Sequence, residues 1–264
     1  MGQEIKERAL VLVKAFPQPS QKYQETVCCA GITPEGNLVR LYPIRFRHLP
    51  LEKRFKRWNV VEYVASRPLA DHRPESRHVN EDSILVVQAK VSPEQRVRLW
   101  LPHVSESLQA LKDENIATGK SLGIVKPDEG SLVFKSRRLS SESADDVELQ
   151  KTYQAFQQAS LLDTPDLKPI AVEYEFSYHF TSGGKKHVMK IHDWEVQATL
   201  HSYKRDYGEK ALEMMHDQYQ TRMPENNLHF VMGTMKAHPR QFIIIGLLRS
   251  QVSPREASRQ PSLL

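Results

Sequence analysis

Thr26-Val27-Cys28-Cys29-Ala30-Gly31-Ile32, then Pro34-Glu35-Gly36-Asn37, then Leu38-Val39-Arg40-Leu41-Tyr42-Pro43 is the stretch that decides how this chain is read. Two mostly apolar runs flank a cluster of turn formers, the pattern of a β-hairpin. Pro43 closes the second run because it cannot donate to a strand ladder. Toward the N-terminus, Ala9 to Phe16 reads as another strand, ended by Pro17 and Pro19. Toward the C-terminus, Val60 to Ala65 and Ile84 to Val91 read the same way. Short strands at close spacing with Gly/Pro punctuation predict a small β-barrel rather than an open α/β sheet.

Beyond the barrel the pattern changes. Ser105 opens an expected helix over 105–115, and Leu122 to Val125 and Leu132 to Phe134 read as strands. Residues 137–146 lose their hydrophobes to Ser, Asp and Glu, which places a domain boundary between 136 and 137. A helix over about 145–161 follows, with Val147, Leu149, Tyr153, Phe156 and Leu161 on one side.

Val172, Tyr174, Phe176, Tyr178 and Phe180 alternate with Glu173, Glu175, Ser177 and His179, and Ser182-Gly183-Gly184-Lys185 is a two-residue hairpin turn by type. With Gly183 and Gly184 at the tip, Phe176 faces Ile191 and Tyr178 faces Met189 on the apolar side. Glu175 then faces His192. A helical stretch over 197–222, broken at Gly208, presents Leu212, Met215 and Tyr219 inward. Strands at Leu228 to Thr234 and Phe242 to Leu248 close the fold, and 250–264 reads as a flexible tail. The fold class is therefore α+β. A small N-terminal β-barrel part (1–136) packs with a C-terminal hairpin-and-helix part (137–249).

Composition is that of a globular chain, with 39% hydrophobic and 26% charged residues. The longest apolar runs fall far short of the ~20 residues of a membrane span, and the charged start Met1 to Arg8 is not a signal peptide. These features predict a cytoplasmic protein without a membrane partner. Cys28 and Cys29 are the two cysteines, too few for a disulfide framework or a four-cysteine zinc site. Thr118-Gly119-Lys120-Ser121 lacks the upstream glycine of a phosphate-binding loop, since that position is Glu114.

Charge is concentrated rather than spread. Residues 40–77 hold ten cations against four acids, a net of +6 in a chain whose total is +5. Eight of the ten are Arg, whose planar fork matches phosphate oxygens. Tyr42, Phe46, Phe55 and Trp58 are interleaved and could stack on bases. Arg40, Arg45, Arg47, Arg54, Lys56 and Arg57 are the candidate phosphate contacts, with Trp58 or Phe46 as stacking platform. Arg73 and Arg77 belong to a polar loop, Asp71 to Arg77, that could grip a phosphate. The competing reading is a solvated basic face with the aromatics in the core.

The hairpin also resembles the Cys-x-Ala-Gly, then aromatic-Ile-Arg-Pro hairpin of the dual OB-domain family, whose members are assigned to nucleic-acid modification. Cys28 or Cys29, Ala30, Gly31 and Arg40 match. Leu38 stands where that family tends to have Trp, and Leu41-Tyr42 precede Pro43 as an insertion. The resemblance implies an OB-like barrel whose exposed face contacts nucleic acid.

Ile191-His192-Asp193-Trp194-Glu195 suggests chemistry. Asp193 and Glu195 fall on the apolar side of the hairpin register, where a carboxylate needs a partner. Glu195-Val196-Gln197 resembles the Glu-x-Lys/Gln element of restriction-type nucleases, with Lys190 or Lys186 in place of the missing Lys and Glu173 or Glu175 as an extra carboxylate. Mg²⁺ on Asp193 and Glu195, with Gln197 and Lys190 beside it, could support phosphodiester hydrolysis. The competing reading makes Asp193 a helix cap and places Glu195 in the first turn.

Three functions follow in order: a nucleic-acid-binding module, DNA or RNA, acting as a recognition subunit beside other proteins of a larger nucleic-acid-processing or defence system; a metal-dependent nuclease; and a protein–protein adaptor that docks an acidic partner on its basic face.

Overall fold

The computed structural model describes residues 3–20, 22–139, 170 and 172–250. The helix expected over 145–161 and nearly all of the tail expected over 250–264 lie outside them.

Five strands close a barrel: β1 (Ile5–Lys14), β4 (Cys29–Ile32), β5 (Leu38–Tyr42), β6 (Val60–Ser66) and β7 (Ser76–Gln88). β2 (Gln18–Ser20) and β3 (Gln24–Thr26) form a small ladder beside it. Around the barrel the order is β1-β4-β5-β7-β6. Within the barrel each pairing is antiparallel except β5 with β7, where Arg40 faces Ser76 and Tyr42 faces His78. Numbered within the barrel, the strands run 1-2-3-5-4 with the third and fifth parallel, which is an OB-like connectivity. Alternation along β4 and β5 decides what fills it. Cys29, Val39 and Leu41 point inward to meet Val11, Val61, Tyr63 and Phe55. Ala30, Ile32 and Leu38 point outward.

The helix α1 (Pro93–Trp100) was not expected, although its signal was present. Ser92 and Gln95 form a capping box and Pro93 occupies the first turn. α2 (Leu108–Thr118) is capped by Ser107 rather than Ser105, because Ser107 Oγ accepts from Ala110 N. β8 (Val104–Ser105), β9 (Leu122–Val125), β13 (His229–Thr234) and β14 (Phe242–Leu248) form one sheet in the order β14-β13-β9-β8. It draws on both sides of the boundary expected at 136/137. β10 (Val133–Arg138), β11 (Tyr174–Ser182) and β12 (Lys185–Lys190) form another. The β11–β12 register is the expected one, with Tyr178 opposite Met189 and Ile191 N donating to Phe176 O. Gly183 and Gly184 both take positive φ at the tip, as the tight turn requires.

α3 (Trp194–Tyr207), α4 (Ala211–His216), a π-helical turn (Asp217–Arg222) and α5 (Met223–Glu225) follow β12. Met215 and Tyr219 pack on Phe134, Phe176, Tyr178 and Phe230 to form the C-terminal core.

A separate apolar layer joins the two parts. Leu10, Leu12, Ala30, Ile32 and Leu38 on the outside of the barrel meet Leu122, Ile124, Val231, Ile245 and Leu248 of the four-stranded sheet. Each fully buried Leu or Ile is worth roughly 1.5–3 kcal/mol, so this layer fuses the parts. The approach is close enough that a Cβ on Gly246 would lie 1.7 Å from Val13 Cγ1.

Candidate nucleic-acid interface

OB domains bind oligonucleotides across their second and third strands. Here that face belongs to β4 and β5, and the four-stranded sheet covers it. Leu38 is fully inside the covered layer. Arg40, two residues on along the same face, is 4% exposed. Tyr42, two further, is 40% exposed. The face therefore re-emerges at the end of β5.

A cleft of about 540 Å³ opens there, lined on the barrel side by Arg40, Tyr42, Arg77 and His78 and on the sheet side by Thr234, Met235 and Lys236. Gln18, Lys22, Cys28, Asp71, Arg73, Ser76 and His192 add to its polar lining. A neighbouring hollow of about 400 Å³ shares Ala70, Asp71, Arg73 and Lys236 with it and adds His72 and Arg240. The two hollows adjoin along these shared residues, and among the described residues their linings carry six cations, Lys22, Arg40, Arg73, Arg77, Lys236 and Arg240, and one carboxylate, Asp71.

Asp71 is committed to the wall. It accepts from Arg73 Nε at 2.8 Å, Arg73 Nη2 at 2.6 Å and Ser76 Oγ at 2.8 Å. Burial raises its pKa, but the Arg73 and Ser76 hydrogen bonds outweigh that and bring it to about 2. Arg73 Nη1 also donates to Thr234 O at 2.6 Å, tying the loop to the sheet. Arg77 pairs with Glu7 at 2.9 Å. Lys22 and Lys236 have no carboxylate partner among the described residues. His192 is mostly buried, and that burial lowers its pKa.

The ten cations of residues 40–77 do not form one surface, which corrects the expectation of a single basic face. Arg40, Arg73 and Arg77 come together in the cleft. Arg45 pairs with Glu81 at 2.6 Å, Arg47 Nε donates to Glu25 at 2.8 Å, and Arg54 donates to the carbonyls of Leu49 and Arg47. Phe46 and Phe55 are core residues of the barrel, not stacking platforms. Lys56 is exposed, and Arg57 and Trp58 line a different hollow. Thr234, Lys236 and Arg240 were missed, since only the long-range β9–β13 pairing and the docked sheet bring them to β5, and Lys22, in the turn between β2 and β3, was missed with them.

That other hollow, about 490 Å³, contains Arg57, Trp58, Arg96, Asp193 and Glu195. Arg57 Nη1 donates to Glu195 at 2.8 Å and Nη2 donates to the Leu247 carbonyl. Asp193 caps α3: Oδ1 accepts from Glu195 N at 2.9 Å, and Oδ2 accepts from Leu247 N at 3.0 Å. Burial, with the Glu195 carboxylate beside it, raises Asp193 to about 6 against the pull of Arg57. Trp58 holds a left-handed backbone (φ 69°), and the guanidinium groups of Arg57 and Arg96 lie 5.2 and 5.0 Å from its ring centroid. Such a conformation costs on the order of 1–3 kcal/mol for a bulky residue, and the packing around it sustains it.

The residues grouped as a nuclease site do not converge. Gln197 Nε2 donates to Tyr174 O at 2.8 Å, and Lys190 forms an ion pair with Glu175. Glu175 also pairs with Arg137, at 3.0 Å, and its charge still acts on His192, working against the burial that lowers that ring's pKa. Asp193 and Glu195 already hold protein donors, so Mg²⁺ would have to displace them. Among the described residues no cluster of three or more His, Cys, Asp or Glu is placed to hold a metal ion. No described helix is long and apolar enough to cross a membrane.

The fold is an OB-like barrel capped across β4 and β5 by an α+β unit. The chain belongs to the family described as a domain of unknown function (DUF8757), whose model matches residues 104–263. A second domain of unknown function (DUF8758) matches residues 5–102, the barrel. No curated protein matches. Among solved structures, a chain from a replication protein A heterotrimer bound to ssDNA is similar at 10% identity and TM-score 0.28, over 95% of this chain and 66% of that one. A superposition that loose carries no ligand from one chain to the other.

Proposed function

We propose that the protein binds single-stranded nucleic acid in the channel where β5 emerges from beneath the sheet. One observation carries this reading: Tyr42, exposed on the outer face of an OB-like barrel, opens onto adjoining hollows lined by six cations and one carboxylate, the carboxylate already bound to arginine. Cations neutralise phosphates, and an exposed ring accepts an unpaired base of any sequence. A duplex has no free base to offer Tyr42, so a single strand is the better fit. The resemblance of residues 26–44 to dual OB-domain proteins points the same way.

Fluorescence anisotropy with a labelled single-stranded oligonucleotide tests it. Affinity should fall with salt, with a log–log slope of about −0.7 per phosphate engaged. Lys236→Glu with Arg240→Glu, both on the exposed rim, should lower affinity at least ~tenfold and flatten that slope. Binding that ignores both salt and the double reversal overturns the proposal. Salt-sensitive binding of an acidic peptide in place of the oligonucleotide would favour the adaptor reading.

A further inference from the structure

We infer that the inner end of the cleft is an oxyanion seat that holds the terminal phosphomonoester of a nucleotide, with Arg40 Nε and the Thr234 hydroxyl as its donors. This rests on the nucleic-acid reading of the channel and adds to it which part of the ligand goes deepest.

Arg40 and Thr234 are 4% and 2% exposed and both line the cleft. Arg40 Nη2 donates to Ser121 O and Oγ at 3.1 and 3.3 Å, and Nη1 reaches Cys28 Sγ, a weak acceptor, at 3.3 Å. Arg40 Nε and Thr234 Oγ1 have no partner. A buried polar group left unpaired costs about 1–3 kcal/mol, and both of these belong to residues that line one cleft: the Arg40 Nε–H lacks an acceptor, and the Thr234 hydroxyl is free to donate to the same one. The carboxylate lining the cleft cannot supply it, because Asp71 is held by Arg73 and Ser76. The complementary ligand is therefore acceptor-rich and anionic.

The seat is also a closed end. Arg40 touches Ser121, and Thr234 N donates to Ser121 O at 3.0 Å, so barrel and sheet are joined directly behind it. A strand could not continue past that seam. A terminal phosphate, with three free oxygens and no onward linkage, fits where an internal phosphodiester does not. The nucleotide carrying it would lie toward Tyr42, and a strand, if attached, would leave past Arg73, Lys236 and Arg240.

The experiment compares labelled octanucleotides bearing a 5′-phosphate, a 3′-phosphate, or hydroxyls at both ends, with a free nucleoside monophosphate and inorganic phosphate as competitors. One of the two phosphorylated oligomers should bind about tenfold more tightly than the hydroxyl-ended one. Thr234→Val should erase that advantage and Thr234→Ser should keep it, with melting curves confirming that both variants fold. If the monophosphate alone competes as well as the phosphorylated oligomer, the seat stands and its ligand is the free nucleotide. If only the oligomer competes, the seat stands and reads strand ends. Equal affinity for all three oligomers overturns the seat while leaving strand binding intact. Binding of none of them overturns the channel reading itself.

Discussion

Arg40 Nη2 donates to the Ser121 carbonyl oxygen at 3.1 Å, joining the third barrel strand to the sheet that covers it. On the far side of Ser121, the Glu75 carboxylate accepts from Ser121 N at 2.8 Å and from Ser121 Oγ at 2.7 Å. One serine thus bridges a buried guanidinium and a buried carboxylate. Removing either charge leaves the other without compensation in a poorly solvated place. Arg40→Met should cost on the order of 3 kcal/mol in urea unfolding. Glu75→Gln should also destabilise, and the double variant should cost clearly less than the sum of the two. Additivity would show that the two charges do not feel each other through Ser121.

The contact between Val13 and Gly246 makes a second, steric test of the same interface. A Cβ on Gly246 would lie 1.7 Å from Val13 Cγ1 and 2.9 Å from Val13 Cβ. Gly246→Ala should therefore destabilise by about 1–3 kcal/mol or more, as overpacking does. Val13→Ala alone should cost less, as a modest cavity. Together they should recover much of the stability lost by Gly246→Ala, because the small side chain at 13 makes room for the new methyl. No recovery in thermal melts would mean that the backbones have separated rather than clashed at this point.

The sequence made local structure legible wherever turn chemistry and alternation agree. The Ser182–Lys185 turn set the β11–β12 register to the residue, and the 26–42 hairpin placed β4 and β5 within a few positions. The start of β7 was missed because Val79 is the one apolar residue between Ser76 and Ser83, too few to show alternation, and such a pattern reads as loop. It is a strand because it pairs with β5 and β6. The functional reading rested on residues close in sequence, yet the cleft assembles Lys22, Arg40, Arg77, Thr234 and Lys236 from segments as far apart as positions 22 and 236. Charge clustering along the chain could not tell Arg40, which reaches the cleft, from Arg45 and Arg47, which are paired beside the barrel. Asp193 was readable as a helix cap, and the structure makes it one.

His229 gives an acid-side test. It is 3% exposed, its ring meets Trp100 edge-on with centroids 4.8 Å apart, and burial lowers its pKa from 6.5 to about 4. The folded protein therefore binds the proton less readily than the unfolded chain. The stability that comes from a neutral His229 is present above pH 6.5 and is lost as pH falls toward 4. A shift of that size corresponds to on the order of 3 kcal/mol. His229→Phe keeps a ring against Trp100 and cannot titrate. Relative to wild type it should gain stability steadily as pH falls through that window. A difference between the two proteins that is constant with pH would show that His229 stays neutral without cost.

Asp193 titrates with the opposite consequence. Burial lifts it from 3.8 to about 6 despite the nearby Arg57, so here the folded state holds the proton more tightly than the unfolded chain. Its favourable contribution is complete below pH 3.8 and is lost as pH rises through 6. Asn at this position can still accept one backbone N–H but has no charge to lose. Measured by urea unfolding, the stability of wild type relative to Asp193→Asn should fall by on the order of 2 kcal/mol between those pH values. This is opposite in sign to the His229 comparison, so the two variants separate the two titrations in one protein. Because both Asp193 oxygens already accept backbone N–H groups, millimolar Mg²⁺ should leave the melting temperature unmoved at neutral pH. A rise in melting temperature with Mg²⁺ that disappears in Asp193→Asn would show the carboxylate abandoning its cap for a metal, and would restore the hydrolytic reading of this segment.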